Sequence, residues 1–254
     1  MHDTETVLGM GEQGEGVLSQ WLEGFVDRAI AADQFAPLDQ IDTVSLQVPT
    51  LGFQKAVIKA REYLVEHTSD ETLKAPYLNN LSNDYAAAGR DAEAMEASEE
   101  AMTIYRRLAA ANPARHEPDL VSSLNTWSNS LSAAGRGAEA MEASEEAVTI
   151  YRRLAAANPA RYEPKLALSL GTVANRLEEN SEVNTAVGAV REAIETLSDH
   201  FLGTPSAFAG LMGQLITHYM RLANEAGSPL DEQLLTPLSA KLEEMAQNES
   251  KSEI

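Results

Sequence analysis

The chain has 254 residues, 44% of them hydrophobic and 6% aromatic, with no cysteine and a formal net charge of −20. That charge opposes binding to phosphate backbones and to anionic membrane surfaces, both of which call for a basic face. The missing cysteines remove disulfides, thiolate nucleophiles and cysteine metal sites together. Alanine dominates the apolar share, which favours close-packed helices over a β-sandwich. No basic leader opens the sequence, and no apolar run approaches the roughly 20 residues that cross a bilayer. A soluble, cytoplasmic protein is the expectation.

The first motif along the chain is Gly9-Met10-Gly11-Glu12-Gln13-Gly14, a literal GxGxxG. A dinucleotide site needs a strand before it, a helix after it and a second parallel strand beyond. Only a short "TETVL" precedes it, and Glu12 would repel a pyrophosphate, so it reads as a terminal segment. Residues 15–32 follow as a helix, with Leu18, Trp21, Leu22 and Phe25 on one face. Residues 1–50 are expected to hold this one helix and to cap the next domain or be partly disordered. A second helix is expected over 51–68.

From Arg90 onward the chain repeats itself. Arg90–His116 and Arg136–Tyr162 differ at only three of 27 positions, Asp91/Gly137, Met102/Val148 and His116/Tyr162. The period is 46, as in Gly89/Gly135, Tyr105/Tyr151 and Pro113/Pro159. It continues more faintly through Leu124/Leu170, Leu131/Leu177, Ala140/Ala186, Ala147/Ala193 and Pro159/Pro205. A further step carries Gly135 through Ser181 to Gly227, giving three units and a diverged fourth. A period between 20 and 50 residues marks a solenoid, propeller or array, in which each unit buries its apolar face against its neighbours.

Each unit reads as two helices. Leu124, Trp127 and Leu131 share one face, and Gly135 supplies a left-handed C-terminal cap. The second helix is expected over about 138–158. Glu139, Glu142, Glu145 and Glu146 lie early in it and Arg152 and Arg153 late, an order that complements the helix dipole. Small residues mark the crossing points: Ser82, Ala94 and Ala101, then Ser128, Ala140 and Ala147.

The spacing Leu, apolar +3, small +4, Leu/Tyr +7, Gly +11, Ala +16, Ala +23 resembles the tetratricopeptide repeat. It is carried by Leu78, Leu81, Ser82, Tyr85, Gly89, Ala94 and Ala101, by the residues 46 further on, and by Leu170, Val173, Ala174, Leu177, Ser181, Ala186 and Ala193. The long unit is similar to the branch found in kinesin light chains and many actinobacterial regulatory proteins. The resemblance implies an all-α solenoid of antiparallel helix hairpins with a right-handed superhelical curve. The repeat domain is expected over 51–247, with clear repeats at about 76–200, a divergent hairpin at 205–247 and a polar tail at 248–254.

Little in the sequence suggests catalysis. None of His2, His67, His116, His200 and His218 has metal-ligand spacing, and no phosphate loop or nucleophile elbow is present. No catalytic residue, metal or cofactor is therefore expected. The glutamate runs read as a solvated helix face, and His116, replaced by Tyr162 one unit on, as a packing residue.

A column of asparagines is more informative. Asn83, Asn129 and Asn175 keep the 46-residue spacing, and Asn79 and Asn125 precede the first two by one helical turn. In the resembling family these first-helix positions line the concave surface. A primary amide offers two donors and two acceptor lone pairs, enough to hold a peptide backbone or terminal carboxylate. The other reading is that the amides bond adjacent helices and fix their stacking. The third unit has Gly171 in place of the preceding asparagine, and the fourth has Thr217 and Arg221, the latter a candidate cationic end to the column.

The expected function is thus a non-catalytic protein-protein interaction module that takes a peptide or helix of a partner in a concave groove. The alternatives are a self-associating scaffold, or a sensor or adaptor subunit that regulates a separate protease or signalling NTPase. The partner's identity is not written in the sequence.

Overall fold

The computed structural model describes residues 12–45 and 53–252, and the described residues are helical with short connections. The chain divides into two compact units, Met1–Pro113 and Ala114–Ile254, a boundary that falls inside the expected repeat domain.

The first unit contains α1 (Glu12–Ala31), α2 (Phe35–Ser45), α3 (Gln54–His67), α4 (Glu71–Ala87) and α5 (Asp91–Ala111). Helix α2 was not anticipated. "FAPLDQIDTVS" carries a proline and β-branched residues that disguise its helical period, and packing rather than propensity holds it. Leu38 of α2 is fully buried with Val26, Ala29, Ala60 and Leu64. Helix α1 rests on α3 through Val26 and Ala29, with Leu22 partly buried, while Trp21 is exposed and stacks on Phe25 at 5.8 Å. The packed face is thus rotated from the one the sequence suggests. Side-chain ties lock these helices. The Tyr77 hydroxyl donates to Asp39 at 2.5 Å, that of Tyr63 to Asp33, and that of Tyr85 to Glu62 at 2.8 Å. Arg61, only 2% exposed, pairs with Asp84.

The second unit contains α6 (Pro113–Ala133), α7 (Gly137–Ala157), α8 (Pro159–Glu179), α9 (Val183–Gly203), α10 (Pro205–Ala226) and α11 (Glu232–Ser252), with Pro113 itself the last residue of the first unit. Successive helices from α7 to α10 pack against one another. The expected second helix at about 138–158 is α7, and α10 and α11 occupy the stretch 205–247.

Every turn between the first and second helix of a unit is built alike. The amides of Gly89 and Arg90 donate to the carbonyls of Ala86 and Tyr85, at 3.0 and 2.8 Å. Gly135 and Arg136 repeat this on Ser132 and Leu131, Ser181 and Glu182 on Glu178 and Leu177, and Gly227 and Ser228 on Asn224 and Ala223. Each turn needs one residue with positive φ, and these are Gly89 (72°), Gly135 (74°), Ser181 (65°) and Gly227 (63°). The 46-residue register therefore reaches the fourth unit in backbone geometry, where side-chain identity has faded. At Ser181 a residue with a Cβ is held in a conformation that costs L-residues about 1 kcal/mol or more.

Hairpins close at the small residues. Ser82 and Ala94 are 1% exposed, and the Ser82 hydroxyl donates to the Ala94 carbonyl at 2.7 Å. Ser128 does the same to Ala140 at 2.8 Å, and Ala174 and Ala186 are fully buried. Arg176 is an outlier on α8. It is 6% exposed where the neighbouring units have Ser130 and Leu222, and its burial pulls the guanidinium pKa down. It reaches the Ser128 carbonyl at 3.4 Å and Glu179 at 3.2 Å, while its Nε has no partner.

Three stability outcomes follow, all readable by urea unfolding. Ser181→Gly should stabilise the protein by about 0.5–1 kcal/mol, and Gly135→Ala should cost about 1 kcal/mol. Arg176→Leu should gain about 1 kcal/mol, because an imperfectly paired buried charge gives way to an apolar side chain.

Candidate functional site

The first helices of the units carry the asparagine column. Leu78, Leu124 and Leu170 sit at 3%, 0% and 2% exposure on the packed side of α4, α6 and α8. Five residues further on is about 140° further round a helix, so the same periodicity that buries the leucines turns Asn83, Asn129 and Asn175 toward solvent. All three are exposed. Asn83 belongs to the first unit; Asn129 and Asn175 occupy matching places on α6 and α8 of the second. Their amides make no hydrogen bond among the described residues.

The second tier behaves differently. Asn79 and Asn125 are half-buried. The Asn125 amide donates to the Ser169 hydroxyl at 3.0 Å and so ties α6 to α8, while the Oδ1 of each residue is buried and unbonded. Gly171 takes this position in the third unit, where a Cβ would come within 3.3 Å of the Leu215 side chain on α10. Within the second unit, at Asn125 and Gly171, this column therefore faces the next first helix.

Arg221 is exposed but engaged. Its Nη1 and Nη2 donate to the two carboxylate oxygens of Glu178 at 2.6 and 2.7 Å, and the His218 ring lies 3.0 Å from the same carboxylate. The Arg221 hydrogen bonds, with help from His218, hold the Glu178 pKa down at about 2. Arg221 thus links α10 to α8. On the neighbouring pair of first helices, Ser132 donates to Glu179 at 2.6 Å.

Another periodic column was missed. Glu71, Glu117 and Glu163 are 46 residues apart and lie near the start of each first helix. Arg107 meets Glu71 at 2.5 Å, Arg153 meets Glu117 at 2.5 Å, and His200 meets Glu163 at 2.8 Å. A search for the repeat period among acidic residues finds it; attention to asparagine alone does not. The pairs also revise the dipole reading, because α7 runs on to Ala157, beyond the reach of Arg152 and Arg153. Arg152 instead meets Glu192 on α9 at 2.8 Å. Partly exposed pairs of this kind are each worth under about 1 kcal/mol and act mainly to fix register.

His116, Tyr162 and Phe208 form one aromatic column at the entry to successive first helices. His116 and Tyr162 are buried at 9% and 7% exposure, and Tyr162 packs against Tyr151 at 6.4 Å, the packing role read from the sequence. Burial raises the Tyr151 hydroxyl to about 12. Of the GxGxxG stretch, Glu12, Gln13 and Gly14 fall in the first turn of α1, and the rest lies outside the described residues. Among the described residues no helix is long and apolar enough to cross a membrane.

The Glu178 site sets a pH dependence. A carboxylate with a depressed folded-state pKa stabilises the fold above its unfolded pKa of about 4.5, and that contribution is lost as pH falls toward about 2. Glu178→Gln should therefore unfold at lower urea than wild type at pH 7. The difference should shrink steadily between about pH 4.5 and 2.

Comparison with known proteins places this geometry. The family model described as tetratricopeptide repeat matches residues 77–113 and 120–158. The crystal structure of a Podosopora anserina putative kinesin light chain with nearly identical TPR-like repeats superposes with a TM-score of 0.55 at 19% identity, over 94% of this chain and 99% of that one. A form of the same protein with a single substitution gives 0.56 at 19% identity, over 92% and 98%. BtubC (BKLC) from P. vanneervenii gives 0.57 at 15% identity, over 89% and 92%. No curated protein matches in sequence. Residues 77–113 and 120–158 are tetratricopeptide repeats, and the chain has the helix-hairpin repeat fold of kinesin-light-chain-like proteins.

Proposed function

We propose that the chain is a non-catalytic interaction module that holds a peptide or a helix of a partner protein along its first helices, with Asn83, Asn129 and Asn175 taking the backbone contacts. One observation carries this reading. The three amides stand exposed at the repeat period with their hydrogen-bonding capacity unused among the described residues, whereas Asn125, one turn earlier, is spent on Ser169. An amide in water gives up little by exchanging solvent for a peptide group, and it donates and accepts at once.

The surroundings favour a partner read by its backbone. Flanking Asn129 are the half-buried Thr126 and Ser132, and flanking Asn175 are Thr172 and Glu178, whose carboxylate is held by Arg221 and His218. The surplus acid lies on the second helices, where Glu96, Glu99, Glu142 and Glu145 are exposed and have no ion-pair partner among the described residues. The net charge of −20 steers basic segments toward the protein from a distance. Arg221 and Asn79 contribute to the edges of this surface, Arg221 only with Glu178 attached.

The test is affinity capture with the wild type and the Asn83→Ala, Asn129→Ala, Asn175→Ala triple variant side by side. The variant should lose the partner while keeping its far-ultraviolet circular dichroism and its urea midpoint within about 0.5 kcal/mol, as exposed substitutions do. A lowered midpoint with the partner retained would instead make the column structural.

A further inference from the structure

We infer that Arg176 is a positioning residue, which gives up folding stability to hold Asn129 and Asn175 at one fixed spacing; this rests on the contact role proposed for those two amides. The guanidinium lies directly behind the pair. Successive residues sit about 100° apart on a helix, so Asn175 faces solvent while Arg176 turns into the seam between α8 and α6. There its Nη1 donates to the carbonyl of Ser128, the residue before Asn129, at 3.4 Å. One buried bond thus joins the immediate chain neighbours of two exposed asparagines.

The acceptor sits at a fixed point of the fold. Ser128 is fully buried at the crossing of α6 with α7, where its hydroxyl meets the Ala140 carbonyl at 2.8 Å and the Ser144 hydroxyl at 2.7 Å. Arg176 therefore couples α8 to the contact that sets the lean of the preceding hairpin. Glu179 braces the guanidinium at 3.2 Å and accepts the Ser132 hydroxyl of α6 at 2.6 Å. The Asn125–Ser169 bond, at 3.0 Å, closes the seam on its N-terminal side. Hydrogen bonds are directional and apolar burial is not, so a seam tied in this way admits one register.

Stability does not account for the arginine. Leu222, 46 residues on, occupies the same place on α10 and is fully buried, so an apolar side chain suits the position. Arg176 is equally enclosed, yet its Nε has no partner, and an imperfectly paired buried charge holds a fold less well than an apolar residue. The choice of residue follows the asparagine column. Arginine stands between two helices that each carry an exposed asparagine. Leucine stands on α10, where the column's place is taken by Arg221, already held by Glu178. A pair of amides kept at one spacing before binding leaves less ordering to be done on contact.

Because the chain has no cysteine, Asn129→Cys with Asn175→Cys places two nitroxide labels on α6 and α8, and dipolar broadening of the electron paramagnetic resonance spectrum reads their separation. With Arg176 present the distance distribution should be narrow. Adding Arg176→Leu should broaden or shift it while raising the urea midpoint. In affinity capture with the asparagines intact, Arg176→Leu should recover several-fold less of the protein that the asparagine triple variant fails to hold. An unchanged distance distribution in Arg176→Leu would overturn the inference. So would a lowered urea midpoint, which would make the arginine an ordinary stabilising link. A triple variant that captures as well as wild type would overturn the binding role of the amides instead, a failure told apart by label distances that still depend on Arg176.

Discussion

The close approach of two helices at one small-residue crossing is the constraint on which the rest of each unit depends. At Ser82–Ala94, Ser128–Ala140 and Ala174–Ala186 the side chains are almost wholly buried, and nothing larger fits without driving the helices apart. Where the residue is serine its hydroxyl is satisfied by the carbonyl across the crossing, so burial carries no unpaired polar group. That contact sets how far the second helix leans, and so where Leu124 and Leu170 bury and where Asn129 and Asn175 emerge. The left-handed residue at each turn serves the same geometry by reversing the chain within a few residues.

Around this apolar and backbone frame lies a second layer of polar ties, and these differ from unit to unit. Arg107–Glu71 and Arg153–Glu117 are copies, but the third unit uses His200 for the same glutamate position. Between first helices the link is an amide–hydroxyl bond at Asn125–Ser169 and a charged one at Glu178–Arg221. The packing tolerates this variation because each polar tie contributes little against the hydrophobic burial. It is the layer in which duplicated units can diverge without losing the fold.

In the first unit, two helices without the repeat pattern precede the repeats. Helices α1 and α2 bury Val26, Ala29 and Leu38 on α3, and Asp33 and Asp39 take the hydroxyls of Tyr63 and Tyr77. The acidic composition thus has a structural use there, accepting from tyrosines that would otherwise be buried unpaired. In the second unit α11 packs its apolar side on α9 and α10 and carries Glu243 and Glu244 on its outer side.

The 46-residue period, the helix pairs, the glycine turns and the small crossings were all legible in the sequence, because each is a local requirement on residue type. Only glycine enters the left-handed region freely, only small residues fit the crossing, and helical spacing sorts buried leucines from exposed asparagines. What tertiary structure decided were matters of which neighbour a side chain meets. Ser181 is left-handed despite not being glycine, because the hairpins on either side force the turn. Helix α2 exists because Leu38 has a core to enter. Asn125 and Asn129 are one residue type a turn apart, yet one is bonded to Ser169 and the other faces water, since only the placement of α8 separates them. Arg221 carries a formal charge in any reading of the sequence, but its pairing with Glu178 depends on the distance between α8 and α10. Periodicity is a property of one chain segment; partnership belongs to two, and it is settled only when the helices pack.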